Sequence, residues 1–150
     1  MGQLKSPPQL EFWLPAQLEA VPQARHQAMQ ACAEAGLTDD DCFALDLALG
    51  EALANAVIHG AAGSAAEMVE RPQICLSLWN YQKRLIIQVR DFGCGFHPPA
   101  PPYPMPNAAL EDTHGRGLPL MELLTDAMAV CSGCIKEGGS SVFLIKRVPN

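Results

Sequence analysis

The stretch from Thr38 to Gly60, TDDDCFALDLALGEALANAVIHG, constrains this chain more than any other. Apolar residues recur along it at helical spacing, and no proline interrupts them before the glycines at 60 and 63. Thr38 stands where a cap belongs, and Asp39, Asp40 and Asp41 fill the first turn, where the positive end of a helix favours anions. Leu45, Leu49, Ala52 and Ala56 make one row suited to a core. Beside it Ala44, Ala48, Glu51, Asn55 and His59 make a second row of small side chains carrying a carboxylate and a carboxamide one turn apart. Alanines beside such a pair let another group come close. The same pattern also suits a helix with two ordinary solvent-facing polar residues, and the helix alone does not choose between them.

The segments around it supply the other layer. QLEFWL, residues 9–14, alternates Leu10, Phe12 and Leu14 against Glu11 and Trp13, as a half-buried strand does. A helix is expected from about Gln17 to Ala35, stopped by Gly36. ICLSLWNYQ and RLIIQVRDF read as two strands with a turn near Gln82-Lys83. A proline-dense loop, 97–117, precedes the helical pattern LPLMELLTDAM, whose Pro119 falls in the first turn. A hairpin with Gly138-Gly139 near its turn closes the chain. The order of elements predicts one α+β domain over residues 1–150: a two-layer sandwich, its sheet mixed but mostly antiparallel, with helices on one face.

Charge and cysteine usage narrow the function classes. A net charge of −6, with no basic stripe, argues against nucleic acid as a partner. No apolar run reaches a membrane span without polar interruption, and the first residues do not read as a signal peptide. The six cysteines are scattered, which suits reduced thiols in the cytoplasm. Cys131 and Cys134 form a lone CxxC with no second ligand pair, so two cysteines at a strand end are expected rather than a zinc site. LEFWL, with Trp13 outward, reads as a sheet edge that could pair with a second copy.

Two glycine turns bear on chemistry. In VRDFGCGF a strand ends at Asp91, and Gly93 and Gly95 follow at alternate positions, where a ligand can approach the backbone. A carboxylate there can accept a hydrogen bond from an exocyclic amine, although a plain turn has the same composition. A protein-kinase DFG is excluded, because no HRD or glycine-rich loop precedes it. In HGRGLP, Gly115 and Gly117 flank Arg116 just before a helix, whose free N–H groups make an anion site. This too has a simpler reading, a loop entering a helix.

Together, in this order, the segments resemble the nucleotide-binding boxes of the GHKL ATPase superfamily, which includes gyrase, Hsp90, histidine kinases and MutL. LGEALANAVIHG resembles its asparagine box, DFGCG its DxGxG box, and HGRGL the glycine motif that ends its ATP lid. GGSS resembles the last motif loosely, with Ser140 or Ser141 where threonine is usual. LDLALGEALANAVIHG and GRGLPLMELLTDAM resemble most the anti-sigma factor serine/threonine kinases of the RsbW and SpoIIAB type, over nearly the whole chain.

The resemblance implies ATP and Mg2+ as cofactors, with Asn55 as the metal ligand and Glu51 as the catalytic carboxylate. It implies that Asp91 accepts from the adenine amine and that Gly93 and Gly95 let the base lie on the backbone. Gly115, Arg116, Gly117 and Leu118 would surround the phosphates, and Ser140 would sit near the base. His59 would line the phosphate side or cap its own helix. The implied partners are an antagonist protein that accepts the phosphoryl group and a sigma factor held by partner switching. A non-catalytic, ATP-gated binding module and a domain transferring phosphate to histidine are the other readings.

Overall fold

The computed structural model describes residues 4–61, 73–93, 117–132 and 139–150. Five strands form one sheet in the order β1-β2-β3-β5-β4: β1 (Leu10–Pro15), β2 (Gln73–Tyr81), β3 (Arg84–Asp91), β4 (Ala127–Ser132) and β5 (Ser140–Arg147). Every described pairing is antiparallel, in line with the mostly antiparallel sheet expected from the sequence, and no parallel pair occurs among the described residues. Helices α1 (Val21–Glu34), α2 (Asp39–Ala61) and α3 (Gly117–Leu124) belong to the second layer.

Alternation along each strand sets the two faces. Ile74, Leu76 and Leu78 of β2, Leu85, Ile87 and Val89 of β3, and Val142 and Leu144 of β5 join Leu45, Leu49 and Leu53 of α2 in one buried cluster. The other face carries Trp13, Arg90 and Phe92. There the Trp13 and Phe92 rings stack with centroids 5.4 Å apart, and the Arg90 guanidinium lies 4.5 Å from the Phe92 centroid. The Trp79 indole N–H on this face donates to the Ser6 carbonyl at 2.9 Å, tying the amino-terminal segment down.

Local chemistry explains the boundaries. The expected first helix splits: a 3-10 turn, Leu18–Ala20, precedes α1, and Pro22 falls in the first α-helical turn, where its missing N–H costs nothing. At the other end Gly36 takes φ +96°, and the Leu37 N–H bonds back to the Cys32 carbonyl at 3.2 Å, a left-handed helix stop. Thr38 does cap α2: its Oγ1 accepts the Asp41 N–H at 3.2 Å. The last helix is shorter than its pattern suggested. Thr125 donates to the Met121 carbonyl at 2.6 Å, Asp126 accepts the Arg147 N–H at 2.7 Å, and Ala127 and Met128 pass into β4. The β2–β3 turn falls on Gln82 and Lys83 as expected, with φ of 49° and 60° in two non-glycine residues.

By length and mean hydropathy, α2 from Asp39 to His59 could pass for a membrane span. Its packing makes it a core helix instead, since Leu45, Leu49, Leu53 and Ala48 have no exposed surface.

Candidate functional site

One ion pair anchors the start of α2 over β5. Lys146 near the end of β5 meets Asp41 at the start of α2, at 3.3 Å. From Asp41 to Asn55 a helix rises about 21 Å, and from Lys146 back to Ser140 a strand spans about 20 Å. α2 is therefore long enough to carry Glu51 and Asn55 toward the sheet end where β3 finishes and β5 begins. At that end Asp91 pairs with Ser140 in register.

Asp91 points to the helical side, in line with Val89 and Ile87, and is buried at 5% exposure. Its two oxygens are held apart by different donors. The Ser140 hydroxyl donates to Oδ2 at 2.7 Å, and the Gly93 N–H donates to Oδ1 at 3.1 Å. A carboxylate accepts about four hydrogen bonds, so both oxygens keep capacity for a ligand amine. Of the two serines the sequence left open, Ser140 is the one that joins Asp91. Ser141 faces the other side of the sheet and accepts from Gln88 Nε2 at 3.1 Å.

Gly139 precedes Ser140 at φ +88°, and any β-carbon there would strike the Asp91 carbonyl oxygen and come within 2.9 Å of the Phe92 Cα. The backbone of β5 thus enters the sheet pressed against the turn after β3. Gly139 was present in the GGSS motif, but its role shows only once the two strands are side by side.

Asn55 and Glu51 are both half-buried on α2. They face the first residue of α3: a β-carbon at Gly117 would sit 2.8 Å from Asn55 Nδ2 and 3.5 Å from Glu51 Oε2. Glycine at 117 lets the backbone of α3 lie directly against the carboxamide, where a β-carbon would not fit. Leu118 follows in the first turn of α3 and packs against the core while remaining half-buried. Gly95, Gly115 and Arg116 lie outside the described residues, as does Cys134. His59 is exposed in the last turns of α2, and Cys131 lies in β4.

A neighbouring cation completes the electrostatics. Arg25 of α1 makes a two-pronged ion pair with Asp46, Nε to Oδ1 at 2.8 Å and Nη2 to Oδ2 at 2.9 Å. Asp46 first, and Glu51 further off, hold the Arg25 cation above its ordinary pKa. Its guanidinium would lie 3.1 Å from a β-carbon at Gly50, so glycine there seats the fork against α2. This pairing is not legible in the sequence, because its partners sit on different helices.

The geometry is that of two half-sites on one side of a two-layer sandwich. One is a buried carboxylate with its glycine turn; the other is a carboxylate–carboxamide pair facing a glycine helix start. The sequence model of the histidine kinase-like ATPase domain matches residues 14–146. The chain belongs to that family of ATPase domains. A solved chain holding the RsbU and RsbW domains of Rv1364c from Mycobacterium tuberculosis shares the fold, with a TM-score of 0.61 at 22% sequence identity. The likeness covers 95% of this chain and 32% of that one, so the present chain spans about a third of the solved chain's length. No curated protein sequence matches the chain.

Proposed function

We propose that this domain binds Mg-ATP and transfers its γ-phosphoryl group to a serine or threonine of a small antagonist protein, and that it sequesters a sigma factor when that antagonist is phosphorylated. The observation that supports the reading is the close seating of Gly117 at the start of α3 against Asn55 and Glu51, an approach that a β-carbon would not allow. An RsbW domain in the solved chain of similar fold points to the same class of regulator.

The residues fit the groups the family implies. Asn55 and Glu51 offer the hard oxygen donors that Mg2+ takes, and a site with few protein ligands leaves room for water and phosphate oxygens. When bound, Mg2+ neutralises charge on the phosphates. The protein's own part is positional. Asp91, fixed by Ser140 and Gly93, accepts the adenine amine. The N–H groups at the start of α3 face phosphate oxygens. Glu51 takes the proton of the attacking hydroxyl. Gly95, Gly115 and Arg116 retain the roles the resemblance gives them. Among the described residues Cys32, Cys42 and Cys75 are free thiols, which suits the cytoplasm as the site of action. β1 is an edge strand, which leaves open the pairing of two copies expected above.

The test is capture of bound proteins from the native cell with and without ATP, followed by mapping of phosphosites. An acid-stable phosphoserine or phosphothreonine on a captured protein, lost with Glu51→Gln, supports the kinase. Capture gated by ATP with no transfer reduces the function to a binding module, and an acid-labile phosphohistidine contradicts the acceptor class.

A further inference from the structure

The core uses only one side of α2. Its most apolar window is 39% buried, yet the side left over is not polar. Phe43 is 67% exposed, Leu47 40% and Ile58 52%. At about 100° per residue, Phe43, Leu47, Ala54 and Ile58 fall within an arc of about 60°, opposite Leu45, Leu49 and Ala52. Phe43 to Ile58 spans about 22 Å along the axis. Leu123 of α3, 72% exposed, lies at the Phe43 end, because Lys146 reaches both the Leu124 carbonyl and Asp41. Glu51 occupies the next angular position, between this stripe and the slot that holds Asn55.

We propose that the stripe is the docking face for the protein that receives the phosphoryl group, and that it takes an amphipathic helix with an apolar face and basic flanks. This deepens the kinase reading and rests on it for the identity of the occupant. Charge decides among occupants. Asp39 and Asp40 are exposed beside Phe43, while among the described residues the cations nearby, Arg25 and Lys146, are engaged by Asp46 and Asp41. A second copy of this chain carries the same net charge of −6, and an anionic bilayer is negative as well. A helix with lysine or arginine flanks complements the rim and lays its apolar residues along the stripe at i, i+4 and i+11. Docked there, it carries a hydroxyl at its border to Glu51 with no further search.

The probe is a labelled amphipathic peptide of about sixteen residues, matched to the stripe, with leucines at that spacing and lysine flanks. One control replaces the leucines by serine, and another replaces the lysines by glutamate. Fluorescence anisotropy with the full chain is expected to show the leucine–lysine peptide binding at least about tenfold more tightly than either control. Phe43→Ser with Ile58→Ser should weaken it about tenfold or more, with Mg-ATP affinity and the circular dichroism spectrum unchanged. Equal binding of the serine–lysine control, binding retained in the double variant, or no docking by any peptide overturns the surface. Light scattering that shows a dimer lost in the double variant overturns it too, in favour of a second copy. Peptide docking without ATP binding leaves the surface standing and contradicts the kinase; ATP binding without docking does the reverse.

Discussion

Single residues carry the chemistry through what they lack or share. Gly117 lacks a β-carbon where one would stand 2.8 Å from Asn55 Nδ2. Gly117→Ala should therefore displace the carboxamide and lower ATP affinity by about tenfold or more, with little change in melting temperature, since the contact is with one side chain at a helix start. Isothermal titration and a thermal melt on the same sample check both halves. Ser140 shares its proton with Asp91 at 2.7 Å in a site of 2% exposure. Ser140→Ala removes one of two donors from a buried carboxylate and should cost about 1–3 kcal/mol of stability. Ser140→Thr keeps the hydroxyl and should recover most of that loss. Cys32 is chemically quiet by contrast: burial, with a smaller push from Cys42, raises its thiol pKa to about 12. The unfolded chain ionises that thiol from about pH 8.5 upward and the folded chain does not. Stability supplied below that pH is thus lost as pH rises toward 12, at up to about 1.4 kcal/mol per unit. Cys32→Ala should show a flatter alkaline slope than the parent in melts at stepped pH. An equal slope would mean that the thiol ionises freely in the native state.

Elements were legible where local chemistry sets them and obscure where a neighbour does. Thr38, Gly36 and Gln82-Lys83 mark boundaries through caps and turns, and the structure keeps all three. The end of α3 was overrun because LPLMELLTDAM keeps its helical spacing past Leu124. Only the bond from Arg147 N–H to Asp126, a residue far away in sequence, shows why Ala127 turns into a strand. The stacking of Trp13 on Phe92 could not be read either, because it joins β1 to the turn after β3 across the open face. The β2–β3 turn yields a prediction at this scale. Gln82 and Lys83 hold positive φ without being glycine or asparagine. Replacing them with Asn-Gly should raise stability by about 0.5–2 kcal/mol. ATP affinity should not move, because Tyr81 and Arg84 lie at the opposite end of the sheet from Asp91. A melting temperature unchanged or lowered would show that the Val148 N–H bond to the Lys83 carbonyl, not turn preference, dictates the geometry.

At the scale of the whole molecule, the arrangement is two layers that carry two half-sites from distant segments. The sequence named residues of both halves, Glu51 and Asn55 on the helix and Asp91 with Ser140 on the strands. It could not say how far apart they lie. That depends on the run of α2 along β3 and β5, anchored by Lys146 and Asp41. Nor could it show that the outer side of α2 stays apolar and open, since periodicity reports a core face without reporting what the other face meets. The central claim is that both halves serve one nucleotide. Its most direct measurement is an amide nuclear magnetic resonance titration of the full chain with Mg-ATP. The account predicts that Gly93, Ser140, Gly117 and the Asn55 side-chain amide shift together on a single saturation curve. Shifts confined to one half, or two curves with different midpoints, would contradict it.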